Sequence, residues 1–208
     1  RQTLADSVNR RFGTHYTADN FYMTVGAAAS LSISIKALTN PGAEFTTFAP
    51  FFPEYEVWVT TAGAKLLVTP ADTENFQIDI HALEKLIGPK TKGVIINSPN
   101  NPSGVVYSEE TIRRLAAILE KKEAEYGTSI YLLSDEPYRE IVYDGVEVPY
   151  VPLYYKNTLV CYSYSKSLSM PGERIGYVIV PDETDDSRRV RAAVAGAGRA
   201  LGYVCAPV

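Results

Sequence analysis

The chain has 208 residues, with 20 basic and 24 acidic side chains and a formal net charge of −4. Hydrophobic residues make up 46% of it and charged residues 21%, which is typical of a globular protein and excludes a disordered chain. A slightly acidic chain without a Lys/Arg block lacks the electrostatic features of a nucleic-acid binder, so no such partner is predicted. No apolar run reaches the roughly 18 residues that a transmembrane helix needs, so no membrane partner is predicted either.

The cysteines and histidines do not form a known metal or hydrolase motif. Cys161 and Cys205 lie far apart without CxxC or Cys/His spacing, so no metal site is predicted. His15 and His81 have no neighbouring Ser, Cys or carboxylate motif, which argues against a catalytic triad. The few cysteines and the absence of an apolar leader predict a cytoplasmic protein.

Strand and helix patterns alternate along the whole chain. Short apolar runs predict strands at Phe21–Val25, Glu44–Phe48, Lys65–Val68, Gly93–Asn97, Ile130–Ser134, Thr158–Ser163 and Ile175–Val180. Helical spacing of apolar residues predicts helices at Leu4–Phe12, Ala28–Leu38, Glu54–Ala62, Ile80–Leu86, Ser108–Tyr126 and Asp185–Ala197. Several strands are apolar nearly throughout, as in parallel sheets that are covered on both faces. The chain is therefore predicted to be a single α/β domain, residues 1–208, a three-layer sandwich with a mostly parallel central sheet.

Polar segments follow four of the predicted strands, at the sheet edge where α/β proteins bind ligands. The first is the Gly turn at Thr24–Ser30, where small side chains precede a helix whose free N–H groups can bind an anion. The second, Asn97–Gly104, contains two X-Pro bonds that hold asparagines in a rigid turn; such a turn can also be purely structural. These two segments alone remain weak indicators of function.

The other two segments carry charged groups. In Ser134–Tyr138, Asp135 ends an apolar strand, and a buried carboxylate there must meet a cation or cap a following helix. In Ser163–Tyr177, Lys166 lies among serines and Arg174 follows eight residues later. The lysine could be an ordinary surface residue. If it is partly desolvated, it can act as a nucleophile towards an aldehyde, while the serines and Arg174 suit a phosphate.

Together the four segments supply what pyridoxal 5'-phosphate requires: a Schiff-base lysine, an acid for the pyridine nitrogen and a phosphate anchor. Here the sequence resembles the class I/II (fold-type I) aminotransferases. Asn97–Gly104 resembles that family's N-x-P-x-N-P-[ST]-G, and Asp135–Tyr138 resembles its D-E-x-Y. Ser163–Lys166 with Arg174–Tyr177 resembles S-x-S-K…R-x-G-[YW]. The resemblance implies the large domain of a pyridoxal-phosphate-dependent transferase.

The resemblance assigns catalytic roles to three residues. Lys166 is similar to the lysine that forms the internal aldimine and later moves the proton, and Asp135 to the carboxylate that keeps the pyridine nitrogen protonated. Tyr138 and Asn101 are similar to the pair that binds the cofactor's phenolic oxygen. Tyr55 is expected to support Asp135.

It also assigns residues that bind the cofactor without reacting. Ser163, Arg174 and the backbone of Ala27 and Ala28 resemble the phosphate cup. Phe52 resembles the aromatic residue that stacks on the pyridine ring, although a Phe before a helix is also an ordinary core residue.

The resemblance implies amino-group transfer between an L-amino acid and a 2-oxo acid. Another reaction on the same fold, such as that of a C–S lyase or a synthase, uses the same motifs, and a non-catalytic cofactor-binding fragment or regulator domain remains a third possibility. The family's C-terminal small domain, with its substrate-carboxylate arginine, and its N-terminal arm are expected to be absent from this chain. The intact protein is expected to be a homodimer.

Overall fold

The structure, a computed structural model, describes residues 1–72 and 74–203. Cys205 and the predicted end of the domain at residue 208 lie outside the described residues. The helices are α1 (Gln2–Phe12), α2 (Ala27–Leu38), α3 (Glu54–Ala62), α4 (Ile80–Leu86), α5 (Glu109–Tyr126), α6 (Tyr164–Ser167) and α7 (Ser187–Ala200). The strands are β1 (Phe21–Thr24), β2 (Glu44–Phe48), β3 (Lys65–Thr69), β4 (Thr91–Asn97), β5 (Tyr131–Asp135), β6 (Thr158–Ser163) and β7 (Gly176–Ile179).

The strands of the described part form one sheet in the order β1-β7-β6-β5-β4-β2-β3. All neighbouring pairs from β6 to β3 are parallel, whereas β7 is antiparallel to both β6 and β1. The α/β fold with a mostly parallel central sheet is therefore confirmed.

Helices cover both faces of the sheet because successive strand residues point to opposite sides. In β4, Ile95 packs with the apolar side chains of α2 and α3, while Val94 and Ile96 pack with those of α4 and α5. Around β6 and β7, a third cluster contains residues of α1 such as Ala5 and Val8. This packing yields the three layers that the alternating pattern predicts.

The predicted elements are present, with differences at their ends that have local causes. The last helix begins at Ser187 rather than Asp185, because Asp186 has a left-handed φ of 54° and cannot continue a helix. The helix predicted from Ser108 begins one residue later, with the Ser108 side chain as its N-cap, accepting from Thr111 N. The single turn α6 was not predicted, since four residues are too few to show a helical period.

The carboxyl ends of β1, β4, β5 and β6 lie along one edge of the sheet. In the register, Asn97 pairs with Asp135, and Ser163 pairs with Gly176, which in turn pairs with Thr24. All four polar segments singled out in the sequence therefore meet at this edge.

Candidate active site

A cavity of about 280 Å³ opens at this edge of the sheet. Its wall includes the first residues of α2 and the last residues of β4 and β5. The residues that the sequence singles out and that line it are Ala27, Ala28, Phe52, Asn101, Asp135, Tyr138 and Lys166. The structure thus brings most of the predicted site together, while the roles of these residues towards a cofactor remain predictions.

Asp135 is the buried acid of the cavity, with only 5% of its surface exposed. Its Oδ2 accepts a 2.5 Å hydrogen bond from the Tyr55 hydroxyl, as expected for a supporting residue. Its Oδ1 has no hydrogen-bond partner among the described residues. Burial raises the pKa of Asp135 to about 7; the Tyr55 hydrogen bond lowers it and the charge of Glu136 raises it. A positively charged N–H donor in the cavity would satisfy Oδ1 and stabilise the charged carboxylate.

The alternative role of Asp135 as a helix cap is wrong, because residues 137–140 form turns rather than a helix. The neighbouring acid, Glu136, is the one that meets a cation inside the protein. Its Oε2 lies 2.6 Å from Nε of Arg139, and its Oε1 accepts from Ser134 Oγ at 2.7 Å. Asp135, in contrast, lines the cavity with one carboxylate oxygen unpartnered.

Asn101 and Tyr138 lie side by side, as the resemblance predicts. Asn101 Nδ2 donates to the Tyr138 hydroxyl oxygen at 3.4 Å, and Asn101 N donates to Asn97 Oδ1 at 2.6 Å. Burial is the main cause that raises the pKa of Tyr138, helped by the charge of Asp135 and opposed by the Asn101 hydrogen bond. The phenol is therefore protonated at neutral pH, and the Asn101 amide donates to its oxygen.

Lys166 lies on α6, which the Ser163 hydroxyl caps by accepting from Ser165 N. Its Nζ is 5.9 Å from the centre of the Tyr138 ring. Of the two possibilities that the sequence leaves open for this lysine, the structure shows the exposed one rather than the partly desolvated one. Lys166 nevertheless lines the same cavity as Asp135.

The start of α2 and Arg174 lie against each other, although Arg174 is not part of the cavity wall. Gly26, the N-cap of α2, has a φ of 93°, and a Cβ there would lie 2.6 Å from Nη2 of Arg174. Arg174 Nη2 also donates to Val25 O at 3.2 Å. The first turn of α2 has no side-chain cap, so its N–H groups and the guanidinium together form a positively polarised corner.

Ser163, like Arg174, lies outside the cavity wall, and its hydroxyl already makes hydrogen bonds within the chain. Its hydroxyl caps α6 and donates to Ser165 Oγ at 2.9 Å, and the residue does not line the cavity. Gly176, its register partner, packs directly against the Gly26 backbone. Ser163 is therefore adjacent to the α2 corner, with its hydroxyl already engaged.

Phe52 is half-buried between the cavity and the core, and its stacking on a pyridine ring remains a prediction. It lines the cavity, and its ring packs edge-on against Tyr55 with centroids 5.9 Å apart. Trp58 lies 6.0 Å away and also lines the cavity, as do Leu31 and Asn97. Sequence reasoning missed these three. Asn97 was identifiable as the last residue of a strand and the first of a quoted motif, whereas the other two lie on helix faces without a distinguishing pattern.

In the described part of the chain, no group of three or more His, Cys, Asp and Glu residues is arranged to hold a metal ion. None of the helices there is both long and apolar enough to cross a membrane.

Comparisons with known proteins agree with these features. Residues 1–207 match the family described as aminotransferase class I and II. The probable aspartate/prephenate aminotransferase of Thermus aquaticus is 34% identical over 182 residues, which cover 87% of this chain and 46% of that protein. The probable aspartate aminotransferase of Methanocaldococcus jannaschii is 35% identical over 88% of this chain and 47% of that protein.

Solved structures give the same result. An amino transferase from Eubacterium rectale superposes with a TM-score of 0.98 at 65% identity, over 99% of this chain and 52% of that one. Aspartate aminotransferase from Thermus thermophilus with maleate superposes with a TM-score of 0.83 at 28% identity, over 96% and 50%. The chain spans about half the length of the relatives it matches. It belongs to the class I and II aminotransferase family.

Proposed function

We propose that the chain is the large, cofactor-binding domain of a pyridoxal-phosphate-dependent aminotransferase, which transfers an amino group between an L-amino acid and a 2-oxo acid. The observation that carries this proposal is the pairing, in one cavity, of a buried Asp135 with an unpartnered Oδ1 and an accessible Lys166 amine. The match to half of longer aminotransferases supports the assignment as one domain of a larger protein.

The residues present fit the cofactor. The N–H groups at the start of α2, with Arg174 behind Gly26, would hold its phosphate, and Asp135 Oδ1 would accept from its ring nitrogen. Phe52 would cover the ring. When bound, pyridoxal phosphate supplies an electron sink for the charge that develops at the α-carbon of an amino acid. Ser163 would act on the phosphate only if its hydroxyl turned away from Ser165.

Four polar side chains of the cavity would each have a defined task in this reaction. Asp135, oriented by Tyr55, would hold a negative charge that stabilises a protonated ring nitrogen of the cofactor. Tyr138 and Asn101, which lie within hydrogen-bond distance of each other, would both donate to the cofactor's phenolic oxygen. The Lys166 amine would move the proton of the substrate's α-carbon, which is general acid–base catalysis by a positioned group.

The proposal also covers the oligomeric state and the cellular location of the protein. We expect a homodimer, as two-fold symmetric assemblies are the commonest oligomers, and light scattering of the purified protein tests this. A cytoplasmic location is consistent with Cys161, which is a buried free thiol.

Absorbance spectroscopy tests the proposed function. Adding pyridoxal phosphate to the purified protein is expected to produce a visible band that borohydride removes and that Lys166→Ala lacks. A panel of amino acids offered with a 2-oxo acid is then analysed for products. New amino acid from the 2-oxo acid supports transfer, whereas released ammonia or thiol identifies a lyase instead. Cofactor binding without any product identifies a non-catalytic domain.

A further inference from the structure

A chain of hydrogen bonds connects the turn that carries Lys166 with the turn that carries Tyr138. Ser167 Oγ, one residue after the lysine, lies 2.8 Å from the Tyr162 hydroxyl. That hydroxyl donates to Glu140 Oε2 at 2.8 Å. Glu140 is only two residues after Tyr138, in the same run of turns. The two groups that face each other in the cavity are thus joined behind it by three side chains.

The direction of every hydrogen bond in this chain is determined. The Glu140 carboxylate can only accept, and its other oxygen, Oε1, accepts from Arg11 Nη2 at 2.8 Å. The Tyr162 hydroxyl is buried, which raises its pKa, so it keeps its proton and directs it to Glu140. Ser167 must then donate to the tyrosine oxygen. A network with one arrangement specifies one geometry rather than several.

The helical turn that carries Lys166 has few other anchors on its far side. Before the lysine, Ser163 caps the turn and Tyr164 N donates to Ile175 O at 3.1 Å. After the lysine, Leu168 is 58% exposed, so apolar burial contributes little there. The Ser167 hydroxyl is the side chain that ties this end of α6 to the buried part of the protein.

From this arrangement we propose that Tyr162, with Ser167 and Glu140, is a positioning residue that sets the Lys166 amine relative to Tyr138. It touches no reacting atom and acts through the backbone of α6. The inference rests on the proposed function, because it concerns the capture of pyridoxal phosphate by Lys166. The network should therefore affect the formation of the covalent bond between Lys166 and pyridoxal phosphate, and not the noncovalent contacts that hold the cofactor.

Two forms of the cofactor separate these effects. Pyridoxal phosphate uses Lys166, whereas pyridoxamine phosphate has an amine in place of the aldehyde and binds without reacting with the lysine. The ratio of their dissociation constants therefore reports the placement of Lys166, and general damage to the site changes both constants alike. Fluorescence titration gives both constants, and the yield of borohydride-trapped adduct is a second measurement.

Tyr162→Phe removes both hydrogen bonds of the hydroxyl and keeps the ring, which stacks on Tyr177 with centroids 5.1 Å apart. The matched control is Tyr177→Phe, because its ring is equally buried and its hydroxyl makes no hydrogen bond within the described residues. Ser167→Ala breaks the same chain at a half-buried position and serves if the tyrosine variant does not fold. Ser167→Thr keeps the hydroxyl and should restore capture.

We expect Tyr162→Phe and Ser167→Ala to weaken pyridoxal phosphate binding relative to pyridoxamine phosphate by about 3- to 10-fold, the effect of one net hydrogen bond. Tyr177→Phe and Ser167→Thr should keep the wild-type ratio. An unchanged ratio in both breaking variants overturns the inference, whether or not the melting temperature falls. Failure of the wild-type protein to bind either form would instead contradict the proposed function.

Discussion

Asp135 makes the cofactor-free protein less stable as the pH rises, and Asp135→Asn tests this directly. The side chain is buried, and its pKa is raised to about 7 from the ordinary value of 3.8. A raised pKa means that the folded protein holds a proton that the unfolded chain has already lost. The stabilising contribution is therefore complete below pH 3.8 and is lost as the pH rises through about 7.

The size of this effect follows from the two pKa values. At 1.36 kcal/mol per pH unit, the full loss is about 4 kcal/mol, of which about 2.5 kcal/mol falls between pH 5 and pH 8. Asparagine cannot ionise, so Asp135→Asn escapes the loss. Its amide would still accept from Tyr55, but its N–H₂ group would lack an acceptor, at a cost of about 1–3 kcal/mol. Between pH 5 and pH 8, the free energy of unfolding of Asp135→Asn should therefore rise by about 2.5 kcal/mol relative to that of the wild type.

Urea unfolding of the cofactor-free protein at these two pH values measures the difference. Asp185→Asn is the control, because the pKa of Asp185 is lowered rather than raised. The main cause is the hydrogen bond from Lys156. The Asp185 carboxylate stabilises the folded protein above the unfolded pKa of 3.8, and this stabilisation is lost only as the pH falls below that value. Asp185→Asn should therefore lower the free energy of unfolding by the same amount at pH 5 and at pH 8. A stability difference between wild type and Asp135→Asn that does not change with pH would refute the reasoning.

Three further predictions concern single contacts. Tyr55→Phe removes the donor to Oδ2 and should raise the pKa of Asp135 further; NMR titration of its carboxyl carbon measures this, and an unshifted midpoint contradicts it. Gly26→Ala places a Cβ 2.6 Å from Arg174 Nη2 at a φ of 93°, so it should cost about 1–3 kcal/mol of stability and weaken pyridoxamine phosphate binding in calorimetry. Wild-type affinity in that variant would argue against a phosphate site there. Ser108→Ala removes the N-cap of α5 and should lower the free energy of unfolding by about 1 kcal/mol in urea, with ligand affinity unchanged.

Much of the fold could be predicted from the sequence because its patterns are local. In β4, Val94, Ile95 and Ile96 form a continuous apolar run, and the side chains of Val94 and Ile95 are buried on opposite faces of the sheet. Helix α5 shows its apolar period, its serine cap and its closing glycine, Gly127, all within one segment. The turn α6 is too short to show a helical period, and no pattern in the sequence indicates the left-handed φ of Asp186.

The candidate site shows the same division. Asp135, Tyr138 and Asn101 were predictable because each follows a strand within a motif, and strand ends meet at one sheet edge. The exposure of Lys166 could not be predicted, because the exposure of a side chain depends on which segments cover the cavity and not on the neighbouring residues in the sequence. The Tyr162 network was also hidden, because it joins residues from three separate segments through side-chain geometry alone.

The proposal that Lys166 reacts with pyridoxal phosphate is tested most directly by locating the modified lysine in the chain. The protein is incubated with the cofactor, reduced with borohydride and digested, and the peptides are analysed by mass spectrometry. We expect a phosphopyridoxyl group on Lys166, absent from Lys166→Ala and suppressed by excess pyridoxamine phosphate. A modification at another lysine with Lys166 untouched, or equal labelling of the alanine variant, would contradict it.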